Sequence, residues 1–192
     1  MILDNRNFVK KISISTKVPP DKLPVAVDEF KVFARIDTTR EDVYLTSLLT
    51  GVTEVCEKYL GRALITRELL LSTNEIHQHS IELPYPILKE IVSIETRDSK
   101  GNHSVVPSGK YISIVDEIPA RVVFQSIPDA LEGGNYLIRY TCGYGDEPSD
   151  VPEAIKQSIL TWANMAYENR VIQPDPPIEV RSSLSLYTVE RM

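Results

Sequence analysis

Apolar residues recur every three or four positions in three stretches of the chain, and in short β-branched runs between them. Over residues 27–35, Phe30, Phe33 and Ala34 form one stripe at helical spacing, with Asp28 and Glu29 at the positive end of the expected helix dipole. Leu45, Leu48, Leu49, Val52, Val55, Cys56, Tyr59 and Leu60 then repeat on one face and predict a long helix. Thr39 is its expected N-cap, Asp42 stands three residues later as a variant capping box, and Gly61 is the expected stop. The third stripe is Ile155, Ile159, Trp162, Ala163, Ala166 and Tyr167. There Asp150 is the expected cap, Pro152 lies in the first turn, Glu153 closes a capping box, and Pro174, Pro176 and Pro177 end the helix.

Between the second and third stripes the period shortens. Residues 68–73, 80–83, 91–96, 104–106, 111–115, 121–124 and 136–140 predict five to seven short strands. The turn at 98–102 makes a hairpin of the third and fourth, and Pro84 and Pro86 break the run at an edge or crossing. The expected fold is therefore α+β: a helical bundle with an inserted domain of short, mostly antiparallel strands between the second and last long helices. The expected layout is an extended basic arm at 1–24, helices at 25–64, the β insertion at 65–145, the returning helix at 146–172, and a flexible arm at 173–192.

Composition narrows the function. The 192 residues are 42% hydrophobic and 25% charged, as in an ordinary globular protein rather than a disordered tail or rod. The formal net charge is −6, yet residues 1–24 carry +3 and the rest −9. A chain of this balance, without a basic recognition helix, is a poor coat for DNA phosphate and a poor sequence reader. No apolar run reaches the length of a membrane span, and the N-terminus has no apolar stretch of signal-peptide length, so synthesis in the cytoplasm is expected. Cys56 and Cys142 are too few for a disulfide scaffold and are expected as reduced, buried thiols.

Catalytic chemistry finds little to stand on. His77 and His79 are the only close histidine pair; His103 is distant in sequence, and zinc needs three or four ligands, so no metal site is expected. The segment Gly143-Tyr144-Gly145-Asp146 lacks the central Ser or Cys of a nucleophile elbow. Asp146, Glu147, Asp150 and Glu153 crowd one helix start, where negative charge is favoured structurally. A small hydrolase using Asp146, Asp150 and Glu153, or His77 and His79, is the alternative to a non-catalytic role. No cofactor is expected. The C-terminal segment is apolar-rich: extended, it would set Leu184 and Leu186 on one side and Tyr187 and Val189 on the other, a form suited to strand addition on a partner. Leu184, Leu186, Tyr187, Val189 and Arg191 are the candidate partner-binding residues.

Four stretches carry a family resemblance: LPVAVDEFKVFARID, EDVYLTSLLTGVTEVCEKYLGRALITRE, IELPYPILKEIVSIETRDSKGN and YTCGYGDEPSDVPEAIKQSILTWANMAYENR. Together, over residues 23–170, they resemble the head–tail connector (adaptor) proteins of long-tailed bacteriophages and prophages. The resemblance implies a helical bundle with an inserted β domain and a structural, non-enzymatic role in the virion neck. It implies a ring of about twelve copies around the DNA channel, touching the portal protein on one side and a tail-side completion or stopper protein on the other. DNA would be enclosed without sequence-specific binding, and no membrane is involved. In that family the C-terminal segment often reaches the portal. Ala26 stands where a Ser commonly caps the first helix, implying a weaker helix start. The first 22 residues extend beyond the family's usual start.

Overall fold

The computed structural model describes residues 12–74, 76, 78–126 and 134–189, which divide into two compact units. The fold is α+β, with four α-helices and two sheets among the described residues.

One unit holds residues 19–67, 84–87 and 142–189. Its helices are α1 (Val27–Ala34), α2 (Asp42–Leu60), α3 (Glu153–Asn169) and α4 (Ile178–Ser185). The apolar stripes read from the sequence converge here. Phe30 of α1, Leu45, Leu49, Val52, Cys56 and Leu60 of α2, and Ile155, Ile159, Trp162 and Ala163 of α3 share one core, to which α4 adds Val180 and Leu184. Gly61 ends α2 in the left-handed conformation, as expected of a C-cap glycine. Ala26 precedes α1 with no side-chain cap, as its lack of a hydroxyl requires.

Two expected caps are corrected. The chain turns at Thr39–Glu41, so α2 starts only at Asp42; Thr39 contributes its carbonyl to the Asp42 N–H, and the Asp42 carboxylate pairs with Lys31 at 2.9 Å. Asp150 is the last residue of a separate 3₁₀ turn, Pro148–Asp150, capped by Glu147, and closes that turn's capping box rather than capping α3. Its Oδ2 accepts the Glu147 N–H at 3.0 Å, and Pro152 occupies the N-cap position of α3.

The second unit holds residues 12–18 with 68–83 and 88–141, where described. A five-stranded sheet runs in the order β1 (Ile12–Val18), β2 (Arg67–Thr73), β8 (Asn135–Cys142), β4 (Leu88–Arg97), β5 (His103–Val105). A three-stranded sheet runs β3 (Ser80–Leu83), β7 (Ala120–Phe124), β6 (Tyr111–Ile114). The pairs β1–β2, β3–β7, β4–β5 and β6–β7 are antiparallel. Phe124 of β7 meets Tyr136 of β8 with ring centroids 6.0 Å apart, so the two sheets share an aromatic contact. The expected hairpin forms: both Asp98 carboxylate oxygens take N–H groups of Asn102, and Oδ1 also takes that of Lys100.

The strand β1 corrects the reading of 1–24 as an arm apart from the fold. Residues 12–18 pair with β2 from Ile12↔Thr73 to Thr16↔Leu69, with an irregularity before Val18. Residues 1–11 lie outside the described part.

Candidate functional site

The candidate partner-binding segment is not an extended arm. Pro177 has the dihedrals of a helix N-cap and opens α4, and the spacing of Val180 and Leu184 gives that helix a buried face. Leu184 has 0% of its surface exposed, which removes it from the residues available to a partner. Past α4 the chain is tied to the end of α2: the Val189 N–H donates to Leu60 O at 3.0 Å, and Arg62 Nε donates to Tyr187 O. Gly61 faces Val189. Tyr187 and Val189 are half-buried, Leu186 is 83% exposed, and Arg191 lies outside the described residues. Ile178, at the start of α4, is the second large apolar side chain turned outward there, at 74%.

A further aromatic and charged group lies at the start of α2 and the end of α3. The Arg170 guanidinium lies over the rings of Tyr44 and Tyr167, 5.1 and 5.0 Å from their centroids. The Tyr167 hydroxyl donates to Glu41 Oε2 at 2.5 Å, and that bond holds the phenol above its ordinary pKa. Val32, Phe33 and Val43, in the same unit, are exposed. Tyr and Arg are the residue types enriched where proteins meet.

The carboxylates at the start of α3 serve structure. Glu147 pairs with Lys22, Asp150 closes the 3₁₀ turn, and Glu153 accepts from Gln157 and Lys156. Those two bonds hold the Glu153 carboxyl below its ordinary range, the direction opposite to that of a general acid. Asp146 is exposed. His79 is exposed with φ 64°, and its carbonyl takes the Phe124 N–H; His77 lies outside the described residues. His103 pairs with Glu95 at 2.9 Å. Among the described residues no group of three or more His, Cys, Asp or Glu side chains is arranged to hold a metal ion.

One buried charged pair escaped the sequence reading. Glu57, on the buried face of α2, pairs with Arg67 and accepts the Leu64 N–H at 2.8 Å. Burial pushes its carboxyl up, opposed by Arg67 and by the Leu64 hydrogen bond. Its place between Thr53 and Leu60 on the apolar stripe was the available signal: a carboxylate there must be paired. The pair fixes the turn between α2 and β2 and gives no access to solvent chemistry.

A family model for head completion proteins matches residues 25–173. The chain belongs to the head completion protein family. The head–tail connector role expected from the four sequence stretches stands with that membership: head completion is structural work on the virion. No curated relative matches the chain by sequence. Among solved structures, a chain from the neck of an empty gene transfer agent particle, computed with C6 symmetry, superposes with a TM-score of 0.82 at 20% identity, covering 94% of this chain and 97% of that one. A chain from the neck of the native particle, computed with C12 symmetry, gives 0.77 at 22%, covering 95% and 97%. A chain from the virion of the native particle gives 0.80 at 21%, covering 93% and 96%. This head completion protein therefore has the fold of those chains over nearly its whole length.

Proposed function

We propose that the protein forms a closed ring in the virion neck, between the portal and the tail-side completion protein, with the DNA passing through it. Each protomer acts as a helical bundle of α1 to α4 with a β domain inserted between α2 and α3, completed by β1 from residues 12–18. The observation that carries this reading is the family match over residues 25–173. The likeness to neck chains solved under sixfold and twelvefold symmetry supports a ring of about twelve copies. A ring needs two different faces on each protomer, joined head to tail and closed by rotation. The work is done by binding, with no bond made or broken. Leu186 and Ile178, the outward apolar side chains of the α4 segment, are proposed as portal anchors, flanked by Tyr187, Val189 and Arg191. Docking them removes two large apolar side chains from water without disturbing the buried face of α4.

Removing the gene from the phage or prophage that carries it tests this reading. Filled heads without attached tails are expected, with tails accumulating separately, and the supplied protein should restore joining. Tailed, infectious particles lacking the chain would overturn it.

A further inference from the structure

Among the described residues the two sheets of the β unit have four edges, and they are not equally finished. The edge β5 is three residues long, and β3 already buries Ile81 and Leu83. The edge β1 is seven residues long and exposed at every position. Cross-strand partners share a face, so Ile12, Ile14 and Thr16 lie on the same face as Thr73, Leu71 and Leu69. On β2 those three are buried, whereas on β1 Ile12 and Ile14 remain 48% and 38% exposed. The apolar layer of the sheet thus runs one strand further than its cover. A long edge strand of this kind invites another strand, and proteins that remain single usually blunt such edges with short strands, charge or proline.

The fourth edge, β6, shows the complementary character. Ile112 is exposed on β6, and Val115 and Ile118, also exposed, follow it in the chain. Asp116 and Glu117, both exposed, lie between them; Glu117 pairs with Arg121. On β1 the charged residue is Lys17, also exposed. One edge is apolar with a cation, the other apolar with carboxylates, and both belong to one compact unit.

We infer that the β1 edge of one copy adds to the β6 edge of the next copy, joining neighbouring protomers head to tail through a continuous sheet. This rests on the ring reading above and assigns its contact. Strand addition pairs the outward backbone of the two edges and covers the exposed Ile12 and Ile14 of β1 and Ile112 of β6. Lys17 beside Asp116 sets the polarity: two β1 edges, or two β6 edges, would bring like charges together. Donor and acceptor edges differ, so the contact is heterologous and propagates around a ring.

Cysteine cross-linking tests this in particles whose only source of the chain is the variant. The native Cys56 and Cys142 are buried, so added surface cysteines are read without background. Ile14→Cys and Ile112→Cys both change exposed side chains, and circular dichroism checks that each variant keeps the fold. A short bis-maleimide, whose reach tolerates a one-residue difference in register, should turn the doubly substituted chain into a ladder ending at a closed ring, with loss of the monomer band. Particles built from an equal mixture of the two single variants should give dimers and no higher species. Dimers from Ile14→Cys alone would show symmetric β1 pairing and overturn the head-to-tail contact. A neck ring seen by electron microscopy without any ladder would overturn the assigned edges while leaving the ring standing. Particles whose neck holds no ring of this chain would overturn both.

Discussion

At the scale of single residues, the buried polar and thiol groups show how the helical unit is held. Gly143 has φ 139°, and a Cβ there would lie 2.7 Å from the Thr66 nitrogen and 2.8 Å from the Ile65 carbonyl carbon. Glycine is required at that close backbone approach, where the GYGD segment packs on Ile65 and Thr66. The adjacent Cys142 thiol and the Cys56 thiol of α2 are each pushed up to about 12 from 9.0, chiefly by burial. In the unfolded chain both would ionise near 9, so their contribution to stability is fully present below that pH and is lost as pH rises toward 12. The native protein is expected to resist iodoacetamide at pH 8 and to take two adducts per chain in denaturant, read by intact mass. Prompt alkylation of the folded protein would contradict the burial. The reduced, buried state of both cysteines was legible from their places on apolar stripes. The Glu57–Arg67 pair was not, because its partners come from different elements and only the fold brings them together.

At the scale of elements, periodicity revealed α1, α2, α3 and seven of the eight strands among the described residues, since most of them carry an apolar face locally in their own residues. Two elements were misread for opposite reasons. In β1, Ile12-Ser13-Ile14-Ser15-Thr16 alternates as a strand should, but the surrounding basic charge and prolines directed attention to a free arm. In α4, alternating Ser and Leu imitated a strand, while the i, i+4 pair Val180 and Leu184 decided for helix. The difference has a direct consequence. Leu184→Ala should cost about 2–5 kcal/mol, because it empties a fully buried site. Leu186→Ser, two residues on and exposed, should change stability by at most about 0.5 kcal/mol. Urea unfolding followed by the fluorescence of Trp162, the single tryptophan, measures both. Equal effects at the two positions would mean that α4 does not dock by the Val180–Leu184 face.

At the scale of the whole molecule, charge and composition excluded more than they identified. A net charge of −6 argued against a DNA coat, and of the carboxylates near the start of α3, Asp150 is tied into the 3₁₀ turn and Glu153 into the first turn of the helix. Family and role became legible only when four stretches were taken together, because a structural protein has no catalytic signature to concentrate the signal. The central claim is that many copies of this chain close into a ring between head and tail. A focused electron cryomicroscopy reconstruction of the neck of finished particles, calculated without imposed symmetry, tests it most directly. The account expects a closed ring of about twelve copies of this fold below the portal, with the DNA path at its centre. Finished necks with no density for this fold, or with the chain found only in another part of the particle, would contradict it.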